Sequence, residues 1–334
     1  MQFERVEVIP YALPFREPYV TARGRLERRE LVLLRLHAGG LVGLGETAAL
    51  SLRGGDPLGK IVHDLEGIRP GTERLPAVSA PARAALEIAM LDLAGKRAAE
   101  PAWRILGAAS ARPIECNATL TAGDPGDVAR QALAWAERGF KTFKLKVGME
   151  GDVEQVAAAR KALSPDMKVR VDANGAWSVT QAAERLGAME PLELAEQPVA
   201  TIPALRELHR LTEVPLVADE SVVTTDDARA AAPACDYATV KLAKVGGPVA
   251  ALAISAELPV YLSSALDGPI GIAAAAHVAQ AIPDAGVAHG LATALLFSET
   301  IGKGAELEGP ILNVPDRPGL GVELDEDALA RFAL

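Results

Sequence analysis

Three acidic residues close apolar, strand-like runs at a nearly constant pitch. Asp172 ends KVRVD, Glu196 ends LELAE and Asp219 ends PLVAD, 24 and then 23 residues apart. In a parallel barrel of βα units, equivalent positions one unit apart stand side by side on the same rim. Three carboxylates converging there suit a hard cation that prefers oxygen and keeps some of its waters: Mg²⁺, with Mn²⁺ as the alternative. No His or Cys falls at these positions, which disfavours Zn²⁺. A single strand-end acid most often caps the helix that follows; three in register are harder to explain that way. Asp219 is followed by Glu220, and we read Asp219 as the ligand with Glu220 supporting it from behind.

Amines flank the acids. Lys144 and Lys146 lie in KTFKLKVG, and on a strand positions i and i+2 share a face. Two ammonium groups in one small volume cost free energy unless carboxylates or a metal-bound anion stand nearby. Alone, such a pair reads equally well as the solvated edge of a sheet. Lys241, in ATVKL, comes 22 residues after Asp219 and continues the rim pattern. Lys244, beyond that strand in KVGG, reads as a loop or helix-cap residue. A cation that binds a substrate carboxylate makes the α-proton acidic, because the enediolate left behind is stabilised electrostatically. The base must be neutral, yet a lysine ordinarily titrates near pH ~10.4; burial and a second cation lower that value. Lys146 is therefore the expected base, and Lys144 the residue that tunes it and touches the substrate carboxylate. Lys241 could protonate the opposite face, giving a racemase or epimerase. It could instead stay charged beside the intermediate, which suits a syn elimination or a cycloisomerisation; spacing leaves both open. A Schiff-base lyase using Lys241 as nucleophile would need no metal. A noncatalytic metal- or metabolite-binding barrel would keep the acids without the paired amines.

The elements that must position these residues alternate. Strand candidates at 114–119, 142–147, 168–172, 192–196, 216–219, 237–242, 260–264 and 286–289 are separated by Ala-rich helical stretches. That pattern predicts an α/β fold with a parallel sheet closed into a (β/α)₈-type barrel, or its (β/α)₇β variant. No Gly-x-Gly-x-x-Gly turn follows any strand, which disfavours an open dinucleotide-binding sheet. Residues 1–105 read as a separate α+β capping unit, with strands at 2–13, 30–37 and 41–46, a polar loop at 16–28 and a helix at 81–96. The barrel then occupies 106–297, and 298–334 returns to the cap.

Composition narrows the function classes. The 334 residues exceed what one core usually holds. Hydrophobic residues make up 49% and charged residues 23%, as in a globular protein. Aromatics at 4% and a formal net charge of −10 argue against a nucleic-acid partner. No run of about 18 apolar residues argues for a membrane span. Nor is there a signal-peptide pattern at the N-terminus, and Cys116 and Cys235 carry no metal spacing. We expect buried free thiols, a cytoplasmic location, a small-molecule carboxylate substrate and, as for many barrels, a homo-oligomer.

Taken together, Lys144-x-Lys146, Asp172-Ala-Asn174-Gly, Glu196-Gln-Pro198, Ala218-Asp219-Glu220 and Lys241-Leu-Ala-Lys-Val-Gly-Gly resemble the enolase superfamily, muconate-lactonizing-enzyme subgroup. The resemblance covers nearly the whole chain. It implies that Asp172, Glu196 and Asp219 are Mg²⁺ ligands, that Lys146 and Lys241 are an opposed catalytic pair, and that cap loops near 16–28 and 48–55 close over the substrate. The segments LSSALDGPIGIA from Leu262 and HGLATALLF from His289 resemble o-succinylbenzoate synthases, which dehydrate a cyclohexadiene carboxylate in menaquinone synthesis. Dipeptide epimerases would be expected to carry Asp-x-Asp at the eighth strand, where this chain has Ala288-His289-Gly290-Leu291. Lys241-Leu-Ala-Lys244 is closer to muconate cycloisomerases, and N-succinylamino acid racemase activity is a further reading. Ser263 and Ser264 are candidate donors to a succinyl carboxylate, or else an N-cap of the next helix. Arg23 and Arg25 could pair with that carboxylate from the cap, and Asn174 could orient the base or a metal-bound water, or simply shape the turn before Gly175.

Overall fold

The computed structural model describes residues 3–21, 24–50, 55–70 and 77–334. The chain opens with an antiparallel meander of β1 (Arg5–Thr21), β2 (Gly24–Ala38) and β3 (Leu41–Ala48). Helices α1 (Leu58–Glu66) and α2 (Ala80–Ala98) follow. The β2–β3 turn falls on Gly39 and Gly40, both at positive φ, which a tight hairpin requires. The run Leu31–Leu36 is apolar at nearly every position because both faces of this sheet are covered. Val32, Leu34 and Leu36 pack with Ile61, Leu86 and Leu93 inside the cap. Leu31 and Leu33, of opposite parity, join the barrel's core with Tyr11 and Leu13.

Residues 16–28 were expected to be a polar loop. Instead β1 runs on to Thr21 and β2 starts at Gly24, with a register shift between Pro14 and Tyr19. Arg16, Glu17, Arg25, Glu27 and Arg28 are exposed along this ribbon. Its inner face is anchored by Phe15, which stacks on Tyr19 (ring centroids 5.7 Å apart) and on Phe297 (4.9 Å).

After α3 (Ala102–Ile105) and β4 (Ile114–Glu115), β-strands and helices alternate. The strands are β5 (Ala118–Leu120), β6 (Thr142–Lys146), β7 (Lys168–Asp172), β8 (Ala195–Glu196), β9 (Leu216–Ala218), β10 (Tyr237–Val240) and β11 (Val260–Leu262). Between them come α4 (Pro125–Glu137), α5 (Asp152–Ala162), α6 (Val179–Met189), α7 (Ile202–Leu208), α8 (Thr225–Ala231), then α9 (Leu242–Val245) with α10 (Pro248–Ser255). Helix α11 (Pro269–Ala281) follows β11. The strands form one parallel sheet in sequence order. Residues 288–290 close it: His289 bridges Cys116 on one side and Gly290 bridges Ser263 on the other, both parallel. A 3₁₀ turn at Ala292–Leu296 takes the place of an eighth outer helix, so the barrel is of the (β/α)₇β kind. Cys116 and Cys235 are buried and unbridged.

The remaining chain forms β12 (Gly302–Lys303), β13 (Glu306–Glu308), β14 (Ile311–Asn313), β15 (Glu323–Leu324) and α12 (Glu326–Phe332). It lies against the cap as well as the barrel. Ser298 N donates to Pro14 O and Leu334 N to Pro10 O, each at 3.0 Å. Buried Asp92 of α2 accepts from Leu44 N (2.8 Å) and Leu320 N (2.7 Å), tying the meander, helix and tail together.

Candidate active site at the barrel mouth

The helices that follow the acid-bearing strands find their caps elsewhere. Ser178 caps α6, Thr201 caps α7 and Thr224 caps α8, each side chain accepting from a first-turn N–H. Asp172, Glu196 and Asp219 are thus not needed for capping. All three are fully buried, and each offers an oxygen within 4.8 Å of the others. Strand register produces this: Asp172 pairs with Glu196, and Glu196 with Val217, two residues short of Asp219.

Four buried ammonium groups surround the acids. Lys144 Nζ lies 2.8 Å from Asp172 Oδ2 and 2.6 Å from Glu196 Oε2. Lys146 Nζ donates to Asp172 Oδ2 at 2.5 Å and to Asn174 Oδ1 at 3.2 Å. Lys241 donates to Asp219 Oδ2. Lys244, expected to be a loop or cap residue, is instead part of the cluster. It donates to Asp219 Oδ1 at 2.9 Å, to Thr239 O at 3.0 Å and to the Asp219 carbonyl. The spacing Lys241-x-x-Lys244 was the available signal, since one helical turn brings i and i+3 together. In sheet order the lysines of β6 and the lysine after β10 flank the acids of β7, β8 and β9 from either side.

These charges set each other's protonation. Burial alone would push Lys144 down, but the Asp172 and Glu196 carboxylates outweigh it and hold the amine well above its ordinary value. Burial would raise Asp172; Lys144 and Lys146 instead hold it far below the usual carboxylate range. Lys144 is therefore a standing cation beside Lys146. Behind the acids, Tyr261 donates its hydroxyl to Glu196 Oε2 at 2.6 Å. Burial and Glu196 keep its phenol well above its ordinary value. Tyr261 was not anticipated, although it shares the inward parity of Ser263 on the same strand.

Asn174 does two jobs. It sits at φ +49° before Gly175 at +74°, forming the turn. Its amide also links Lys146 to Glu220, donating to Glu220 Oε1 at 2.9 Å. Ser263 and Ser264 line the cavity above the acids, together with Lys144, Lys146 and Lys241. Ser264 Oγ accepts from Asp267 N at 2.7 Å, and α11 is capped by Gly268, so neither serine caps that helix. From the cap, Arg25 pairs with Glu27 at 2.9 Å on the exterior, while Arg23 and positions 51–54 of the second cap loop lie outside the described residues. Among the described residues, the cap arginine that lines the cavity is Arg29, buried and donating to Ala265 O at 2.7 Å. At the eighth strand, His289 accepts from Leu262 N at 3.0 Å, and burial pushes it down to about 4, so it stays neutral.

The donor set is all oxygen, and Glu196 Oε1 is buried with no hydrogen-bond partner. An acceptor left unsatisfied in this way costs free energy, and a hard divalent cation would satisfy it. The residues fit Mg²⁺. Among the described residues no helix is long and apolar enough to cross a membrane.

Residues 4–107 match the mandelate racemase / muconate lactonizing enzyme N-terminal domain, and residues 127–328 the enolase C-terminal domain-like family. Muconate cycloisomerase 1-1 of Acinetobacter lwoffii is 31% identical over 362 residues, covering 98% of this chain and 96% of that one. An o-succinylbenzoate synthase of Mycobacterium ulcerans is 44% identical over 204 residues, 58% of this chain and 61% of that protein. Among solved structures, a dipeptide epimerase from Cytophaga hutchinsonii complexed with Mg and a dipeptide superposes with a TM-score of 0.92 at 27% identity, covering 99% and 98% of the two chains. The chain belongs to the enolase superfamily, in the muconate-lactonizing subgroup. It is accordingly a lyase or isomerase that works by Mg²⁺-dependent proton abstraction.

Proposed function

We propose that this enzyme is an o-succinylbenzoate synthase, dehydrating a succinyl-bearing cyclohexadiene carboxylate in menaquinone synthesis. Asp172, Glu196 and Asp219 hold the metal, and Lys146 is the base. The observation that carries the proton abstraction is the cluster itself: three mutually close buried carboxylates with ammonium groups on both flanks. Bound there, Mg²⁺ would neutralise the substrate carboxylate and make the neighbouring C–H acidic. Lys146, beside the cationic Lys144, takes the α-proton. The C–H electron pair passes into the substrate carboxylate as an enediolate and then returns to form the new C=C bond as the bond to the β-hydroxyl breaks. The Lys146 ammonium, on the same face, then protonates the departing hydroxyl to water. Lys241 stays charged opposite, where it stabilises the negative charge gathering on the carboxylate oxygens.

Three features favour this substrate. The 44% identity to the mycobacterial synthase is high, though it spans only 58% of the chain. Arg29, Ser263 and Ser264 line the cavity away from the acids and suit a second, succinyl carboxylate. The eighth strand contributes Gly290 to the cavity lining, with no carboxylate there for a peptide ammonium. The flanking amines also favour a second reading, racemisation of an N-succinylamino acid. The purified enzyme with Mg²⁺ should aromatise the cyclohexadiene, followed by ultraviolet absorbance, and Lys146→Ala should abolish turnover. Dehydration undetectable beside rapid racemisation would select the second reading, and full α-proton exchange with solvent deuterium in Lys146→Ala would refute the base assignment.

A further inference from the structure

Glu196 is held asymmetrically. Its Oε2 accepts from Tyr261 (2.6 Å) and Lys144 (2.6 Å). Its Oε1 has no hydrogen-bond partner, and the Lys241 ammonium stands 3.8 Å from it. Lys144 is shared with Asp172, whereas Tyr261 makes its hydrogen bond to Glu196. The tyrosine has little freedom. Its backbone lies in parallel register with Thr239, and its ring packs with Leu194 and Val217 inside the barrel. The Arg170 guanidinium stands 5.3 Å from the ring centroid. Arg170 is itself fixed by two hydrogen bonds to Glu193 Oε2 (2.8 and 2.6 Å) and one to Ala288 O (2.9 Å). The hydroxyl is therefore aimed at one oxygen of one metal-site carboxylate.

Resting on the metal-site reading above, we propose that Tyr261 is a positioning residue that keeps Glu196 monodentate and thereby selects Mg²⁺ over Ca²⁺. Mg²⁺ demands near-ideal octahedral geometry at about 2.0–2.1 Å and keeps several waters, which leaves little room for a chelating carboxylate. Ca²⁺ accepts about six to eight oxygens at longer distance and can take a carboxylate in bidentate as well as monodentate fashion. A Glu196 with Oε2 tied back can offer only Oε1. Without the tyrosine only Lys144 holds Oε2, and the loosened oxygen is a second donor that Ca²⁺ can use and Mg²⁺ cannot.

The test is isothermal titration of MgCl₂ and CaCl₂ into chelator-stripped full-length protein, as wild type, Tyr261→Phe and Tyr237→Phe. Tyr237 packs against the same hydrophobic cluster and serves as the control for hydroxyl loss. Outer-shell partners of a metal ligand are worth about 10–100-fold in affinity. With Lys144 still present, Tyr261→Phe should weaken Mg²⁺ about tenfold and leave Ca²⁺ unchanged or tighter, while Tyr237→Phe keeps the wild-type ratio. Should Tyr261→Phe not fold, Tyr261→Leu reads the same ratio. A ratio that stays put, or both ions weakened by one factor, overturns the inference. Wild-type protein that binds no Mg²⁺ overturns the metal-site reading itself.

Discussion

Glu46→Gln should make the enzyme more stable at alkaline pH and not at acidic pH. Glu46 is a buried carboxylate on β3 of the cap that reaches across to the first turn of barrel helix α11. Its oxygens accept from Tyr11 Oη (2.7 Å), Ile270 N (3.3 Å) and Gly271 N (3.1 Å). The approach depends on glycine, since a Cβ at Gly268 would lie 2.7 Å from Glu46 Oε2. Burial pushes Glu46 up from 4.5 to about 7; nearby Asp267 adds to the rise, and the Tyr11 and backbone hydrogen bonds only partly offset it. Asp267 is itself raised by burial, and faces Arg29 and Lys241. Between those two pH values the folded protein keeps a proton that the unfolded chain has lost, so stability falls as pH rises. At roughly 1.4 kcal/mol per decade, the displacement is worth on the order of 3 kcal/mol. The amide that replaces the carboxylate can still accept from Gly271 N and can donate to the Tyr11 oxygen, and it never ionises. Urea unfolding followed by circular dichroism, at about pH 5 and about pH 8, reads the difference between variant and wild type, in which other titrations cancel. That difference should move by about 2–3 kcal/mol in favour of the variant. Asp172, depressed in the fold, works in the opposite sense; its contribution is present above its ordinary value of 3.8 and lost on acidification, outside this window. A difference that does not change with pH would mean that Glu46 is ionised throughout and that its backbone donors outweigh its burial.

Arg29→Gln should raise KM about 10–100-fold for a substrate with a second carboxylate, the worth of a charge-assisted hydrogen bond, and hardly alter it for an analogue lacking that group; equal effects on both would remove Arg29 from substrate recognition. Lys244→Met removes a buried partner of Asp219 and should cost about 3–5 kcal/mol of stability in chelator. Saturating Mg²⁺ should recover part of that loss, because it supplies positive charge to the same acids, and identical losses with and without metal would count against a shared site. Gly45→Ala would place a Cβ 1.9 Å from the Ala85 carbonyl, so β3 must lift from α2. A loss of about 1–3 kcal/mol is expected in chemical unfolding, and wild-type stability would show that the strand shifts without strain.

The acids and three of the lysines were legible because a closed parallel barrel turns a repeat along the chain into adjacency at one rim. Knowing that Asp172, Glu196 and Asp219 each end a strand was enough to place them together. What stayed hidden depends on contacts between distant segments. The ribbon at 16–28 read as a loop because its support, Phe297, lies at the far end of the barrel. Arg29 fell between the stretch at 16–28 and the strand at 30–37 and was not singled out, and only the packing of the cap on the Ser263–Leu266 wall carries it into the cavity. Lys244 falls past the strand end, where the one-turn helix α9 swings it back under Asp219. Tyr261 belongs to an apolar strand, and its hydroxyl acquires meaning only when Glu196, 65 residues earlier, is set opposite it. The division has a physical cause. Backbone periodicity carries residues to the same rim, but the oxygens a carboxylate has left to offer are decided by donors the chain supplies from elsewhere. In this barrel those donors include four lysines, one tyrosine and the Asn174 N–H, and they leave Glu196 Oε1 as an unsatisfied acceptor that a cation would meet.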